Sequence, residues 1–491
     1  MNVEQQVSRI NSGLRPNCLA FPEVLAQSIA LIAPTMTAAL LIPLAFASAG
    51  EGTWLAYLFG TIMLLFVVFN LNQFARRSTS PGSMYAYTGR GLGARAGVLS
   101  GWTLIWAYLF IGMAGMTGFA IFAGQLLGFI GIHITPIVFF FISGAICWYL
   151  AYRDIKLSAV LMLVLEGLSV TLIIGLAILV LSRHGFTVDT SQVTLKGTSF
   201  SGIGLGVIAS IFSLVGFESA TALGEEAKEP LRTIPRAVIL SLILTGLFFV
   251  FIGYVEVMGL SGNKPSLDQL TAPLNVLADL MRVSFLKVPL SIGAMLTFFS
   301  LSLSCLNAGA RILYPMGRHE VLHAAIGRPH RTNRTPHVAV TVTIVLMVLV
   351  PTIATLAGMA TQDVYNDVGT FGAIGFLTAY FMISIAAPVY LYRDGRLRAG
   401  HIIVSALAVL CLLYPAVSLF YPLPVYPTDL FPYIFLVYMG TGIVWFYIVS
   451  RRAPGKIEEI ERDLESMHRL FEQEESSSEP VVVGDLVSEL D

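Results

Sequence analysis

Eleven stretches of at least 19 residues run without a single Asp, Glu, Lys, Arg or His. They cover 24–50, 52–75, 96–132, 134–152, 197–217, 237–255, 288–310, 338–362, 368–392, 402–428 and 430–450. A twelfth, 157–182, is interrupted only by Glu166. About 20 largely apolar residues, rising 1.5 Å each, cross roughly 30 Å of hydrocarbon. The pattern therefore predicts an all-α integral membrane protein of twelve transmembrane helices. A transmembrane barrel would alternate polar and apolar residues over segments of about ten, which these runs do not. Composition agrees, because charged residues make up 12% of the 491, about half the share usual in soluble domains. Too few are present to coat a soluble protein of this size.

Charge also sets an orientation. With both termini placed in the cytoplasm, 24 of the 29 Lys and Arg fall in cytoplasmic segments, Arg311 counted among those after span 8. The outer loops hold the other 5, at Arg183, Lys196, Lys264, Arg282 and Lys287. Short loops rich in Lys and Arg stay inside. The expected location is the inner (cell) membrane, with both termini inside. Residues 453–491 invert the balance and carry −9. Ile457, Ile460, Leu464, Met467 and Phe471 recur there at helical spacing, which predicts an amphipathic helix before a polar, disordered end. A solvated tail is the simple reading, and a regulatory partner the functional one. Cys18, Cys147, Cys305 and Cys411 are widely separated, so no disulfide framework or zinc ribbon is indicated.

Two spans are interrupted. Ala33-Pro34-Thr35-Met36-Thr37-Ala38-Ala39 sits at the centre of span 1, where proline frees backbone carbonyls and two threonines add hydroxyls. Span 6 carries Ser213-Leu214-Val215-Gly216-Phe217-Glu218 at similar depth. Spans 1 and 6 are five apart in order, an odd number, so they cross in opposite directions, the arrangement expected of a transporter's central site. Glu166 and Glu218 are the two deep carboxyl groups. Ionised, either is costly at that depth, so each is expected to be protonated, paired or facing water.

At this point the sequence resembles the amino acid–polyamine–organocation permeases. Pro81-Gly82-Ser83-Met84-Tyr85-Ala86-Tyr87 is similar to that family's loop after span 2. Gly216-Phe217-Glu218-Ser219-Ala220, then Glu225-Glu226-Ala227-Lys228-Glu229-Pro230, resembles its span 6 and the loop beyond. Asn307-Ala308 with Arg311 and Tyr314-Pro315-Met316-Gly317-Arg318 resembles its span 8 end. The resemblance implies a LeuT-like fold of two inverted repeats. Its parts would be an N-terminal segment 1–23, repeats 24–182 and 197–393, peripheral helices in 400–450 and the acidic tail. It further implies secondary transport of an amino acid or related amine by alternating access, and no enzyme activity. The implied substrate site is Thr35, Met36, Thr37 and Ala38 with Val215, Gly216 and Phe217, under an aromatic gate at Phe212. Glu218 and Glu166 would serve proton coupling. The family's glycine-rich first break is replaced here by Met36, Thr37 and Ala38, a departure that bears on the substrate.

The expected coupling ion is the proton, and no other cofactor is indicated. Sodium symport or exchange is the alternative, since Ser300, Ser302 and Ser304 could offer hydroxyls, although such serines usually bond their own backbone. Expected partners are the substrate, the lipid bilayer and a second copy in a homodimer, with no nucleic acid. His319-Glu320-Val321-Leu322-His323 matches the zinc-protease HExxH pattern. It falls at the basic end of span 8 without an evident third ligand, and interfacial polar residues explain it more simply.

Overall fold

The computed structural model of the chain describes residues 13–462, apart from 79–81, 271, 422–425, 453–454, 456 and 459. In hydrocarbon each backbone N–H and C=O must be satisfied within the chain, so long apolar runs become helices. The described residues contain no strand, only an isolated bridge between Leu19 and Ala227. Helix α1, Phe21–Ile32, ends at Ala33, whose φ is +52°, and the chain resumes through Pro34–Met36 and a π-helical turn, Thr37–Leu41. Next come α2 Ile42–Ala49, α3 Thr53–Ala75 and the short α4 Met84–Leu92. Long helices α5 Ala94–Gly128, α6 Pro136–Arg153 and α7 Ile155–Arg183 complete the first half.

The second half opens with α8, Phe200–Leu214, which breaks at Val215 and Gly216 before a 3-10 segment, Phe217–Leu223. It continues through α9 Pro230–Gly259, α10 Pro273–Leu280, α11 Lys287–Arg318, α12 His337–Leu356 and α13 Thr361–Arg393. Two further helices follow, α14 Ala399–Ser418 and α15 Phe431–Arg452.

Eleven helical stretches among the described residues are long and apolar enough to cross a membrane. The first, Phe21–Ala75, holds 55 residues, about 80 Å of helix at 1.5 Å per residue. It turns at Gly50–Gly52 and contains both of the sequence's first two apolar runs. The structure thus gives eleven stretches where the runs predicted twelve.

Helix α5 lies at the centre, against α11 and α13. Its Gly118 allows the approach, for a Cβ there would lie 2.2 Å from Phe298 of α11. Small residues let membrane helices pack this closely. At the other extreme, 17% of the apolar window of the α15 stretch is buried, against 78% in α5. The last two helices therefore sit outside the core.

Two charges are not where the apolar runs put them. Arg311, assigned to a loop, lies inside α11 at 1% exposure. Glu256, just beyond a run that ends at 255, lies inside α9 at 1% exposure, so intramembrane carboxyl groups number at least three rather than two. Both misplacements arise because a run is cut at its first charge while the helix continues. The tail's expected amphipathic helix falls mostly outside the described residues. Where it is described, Ile460 is buried and Glu461 accepts a hydrogen bond from the Ala94 amide at 3.3 Å.

Candidate functional site

The two interruptions meet. Helix α1 packs along Phe217–Leu223, and α2 packs along α8. The broken helices are therefore antiparallel, with their breaks side by side. Gly216 has φ +97°, and a Cβ on it would stand 1.8 Å from Leu31 Cδ2, one residue from the end of α1. Both the left-handed backbone and the contact require glycine.

Hydroxyls fasten the two breaks. Ser28 of α1 donates to the Phe217 carbonyl at 2.7 Å and accepts from the Ala220 amide at 3.1 Å. Ser219 donates to the Gln27 carbonyl at 3.2 Å, and Gln27 Nε2 donates to Ser304 Oγ of α11 at 2.9 Å. The two bonds of Ser28 satisfy backbone groups that a continuous helix would have paired internally, and the other two tie α1 to the second break and to α11.

Glu218 is fully buried, and both its oxygens are engaged. Tyr108 of α5 donates to one at 3.0 Å, and Tyr380 of α13 to the other at 2.5 Å. The Tyr380 hydroxyl in turn accepts the Gly216 amide at 2.9 Å, and its ring stacks on Phe217 with centroids 5.0 Å apart. Glu218 thus holds the ring that holds the break.

On the α1 side, the helix restarting at Pro34 leaves the Thr35 and Met36 amides without carbonyls in their own helix, and Pro34 has no N–H to offer. The Thr35 hydroxyl bonds Ser169 of α7 at 2.7 Å. Thr37 Oγ1 is buried with no hydrogen-bond partner among the described residues. Glu166 lies one turn before Ser169 on the same face of α7. One of its oxygens accepts from Thr297 of α11 at 3.4 Å, while the other lacks a hydrogen-bond partner among the described residues.

Of the expected site residues, Met36 and Phe212 are half-buried, while Thr35, Thr37, Ala38, Val215, Gly216, Phe217, Glu218 and Glu166 are buried. The break in α1 falls at Ala33, so Met36, Thr37 and Ala38 already belong to the resumed helix. Tyr108, Tyr380, Ser28 and Ser169 carry much of the geometry and have no distinguishing signature in the sequence. Glu256, with neither oxygen hydrogen-bonded among the described residues, is a further buried carboxyl group.

Near the α1 end of this assembly, the N-terminal segment is stitched to the chain beyond the second break. The Cys18 and Leu19 amides donate to the Glu226 carbonyl, and the Lys228 amide donates to Leu19. Glu226 forms a two-bond ion pair with Arg311 at 2.5 and 2.7 Å, both side chains 1% exposed. The HExxH residues lie just beyond, in turns rather than a helix, so they do not share a helical face. His319 Nδ1 bonds the Tyr85 hydroxyl at 2.5 Å instead.

A family model described as amino acid permease matches residues 23–454. The chain belongs to the amino acid permease family. Branched-chain amino acid permease BcaP of Bacillus subtilis (strain 168) is 23% identical over 82% of this chain and 87% of its own length. Low-affinity putrescine importer PlaP of Escherichia coli (strain K12) is 26% identical over 57% of this chain and 63% of its own. The crystal structure of MhsT in complex with L-phenylalanine matches with TM-score 0.57 and 14% identity, covering 82% of this chain and 99% of that one. That likeness shows the fold, which is LeuT-like. Membership makes this permease a multi-pass membrane transporter of an amino acid or related amine, and not an enzyme.

Proposed function

We propose that the permease takes up an amino acid with a compact apolar side chain by alternating access, coupled to protons, across the cell membrane. Both termini then lie in the cytoplasm. One observation carries the reading: two helix breaks lie side by side, and one turn past the first a buried Thr37 hydroxyl has no partner among the described residues. The substrate carboxylate meets the Thr35 and Met36 amides and the Thr37 hydroxyl, at the positive start of a half-helix. Its ammonium meets the carbonyl ends of α1 and α8, and its side chain lies against Met36 and Phe212. A diamine fits less well, because Glu218 already accepts from two tyrosines and offers no free oxygen to a second cation.

Proton coupling is assigned to Glu166, whose free oxygen lies one turn from the Ser169–Thr35 bond. Sodium symport is the second reading, since the Ser300 hydroxyl has no hydrogen-bond partner among the described residues, and Ser302 and Ser304, which donate to backbone carbonyls, keep oxygen lone pairs. Uptake into proteoliposomes across a panel of amino acids and amines, with imposed pH or sodium gradients, tests the reading. Thr37→Phe should abolish uptake while expression persists, and Glu166→Gln should remove its dependence on the pH gradient. Normal uptake by the first variant overturns the site, and unchanged gradient dependence in the second overturns the coupling.

A further inference from the structure

Three helices converge on one basic end of the bundle in a way their topology does not require. Helix α3 is flanked by α9 and α14. Asn72 of α3 donates to the Pro235 carbonyl of α9 at 3.3 Å, and Ser405 of α14 bonds Asn70 at 2.7 Å. These bonds fix two concavities, one on either side of the end of α3. A cavity of about 480 Å³ is lined by Gln73, Arg76, Arg77, Arg396, Arg398 and His401. A second, of about 400 Å³, is lined by Arg76, Arg232, Arg236 and the apolar Leu231, Pro235 and Ile239. Arg76 serves both.

Little negative charge answers these cations. Arg396 pairs with Asp394 at 3.3 Å, and Arg232 with Glu229 at 3.7 Å. Among the described residues, no carboxylate lies within ion-pair distance of Arg76, Arg236 or Arg398. Large apolar side chains farther along the same helices stay exposed: Phe69 on α3, Leu240 and Leu244 on α9, Ile402 and Ile403 on α14. A cationic pocket thus caps an uncovered hydrocarbon-facing surface. Keeping positive loops on one side asks only that the arginines be there, not that they converge from three helices around shared hollows.

We infer that this end of the permease is a binding site for the phosphate headgroup of an anionic phospholipid, whose acyl chains lie along the exposed faces of α3, α9 and α14. Guanidinium groups suit phosphate oxygens through paired N–H donors, and basic pockets between membrane helices recognise such headgroups. The apolar continuation favours a lipid over a soluble phosphate or an acidic peptide.

Native mass spectrometry of the full chain, with dioleoyl phosphatidylglycerol and dioleoyl phosphatidylcholine titrated separately, tests this. The anionic lipid should bind preferentially, and Arg76→Gln/Arg236→Gln/Arg398→Gln should lose roughly fivefold in affinity per arginine. Replacing Arg328, Arg331 and Arg334 by Gln should change binding little. Unchanged unfolding temperature in the first variant separates lost binding from lost folding. Equal losses in the two variants overturn the proposal, as does competition by glycerol 3-phosphate at the lipid's own concentration. So does lipid binding that appears only after residues 463–491 are deleted, which would make the acidic tail the occupant.

Discussion

The Tyr380 hydroxyl serves two partners at once, giving a hydrogen to Glu218 and taking one from the Gly216 amide. Removing it strands a buried N–H and leaves one carboxyl oxygen without its donor. Each buried group so stranded costs about 1–3 kcal/mol. Tyr380→Phe should therefore lower the unfolding temperature and cut uptake sharply. Tyr108→Phe, which loses one bond, should do less on both counts, and thermal unfolding with proteoliposome uptake compares the pair. At this scale the sequence was half legible. Glu218, Glu166 and Gly216 stand out because a charge or a glycine in an apolar span needs a reason. Tyr108, Tyr380, Ser28 and Ser169 do not, since a tyrosine or serine is ordinary in a membrane helix until its partner is known. Ala33 is hidden for another reason: its neighbour Pro34 marks the break, and only the backbone shows that the left-handed residue is the alanine.

Between elements, the tightest tie is the pair formed by Arg311 of α11 and Glu226 beyond the second break. Removing one member of a buried ion pair strands the other, at about 3–5 kcal/mol, while replacing both by apolar residues is often nearly neutral. Arg311→Met should thus destabilise strongly, and Arg311→Met/Glu226→Leu should recover most of the loss, as thermal unfolding would record. Uptake separates structure from gating: a double variant that is stable yet transports poorly would show that the pair is needed as a pair. Helices themselves were the most legible part of this chain, because hydrocarbon permits little else. Their ends were the least legible, and Arg311 and Glu256 were misassigned for that reason.

Across the whole molecule, stability should depend on pH through Glu225, between the second break and α9. Burial pushes its carboxyl up to about 8, with Arg318 pulling it down and Glu226 pushing it up. Between its ordinary value of 4.5 and about 8, the folded chain holds a proton that the unfolded chain has released. That stabilisation is complete below the ordinary value and is lost as pH rises through about 8. Glu225→Gln should flatten this arm of an unfolding-temperature profile taken from pH 5 to 8.5, and a profile parallel to wild type would refute the assignment.

Arg311 also bears on how the chain is made. Its partner Glu226 precedes it by 85 residues, so at about 5–20 residues per second the ribosome finishes the acid roughly 4–17 s before the base. Helix α11 therefore enters the bilayer carrying a cation whose counter-charge is already waiting in the earlier part of the nascent chain. Glu226→Leu should therefore lower the amount of permease that reaches the membrane, and an unchanged amount would place the whole cost in the folded state.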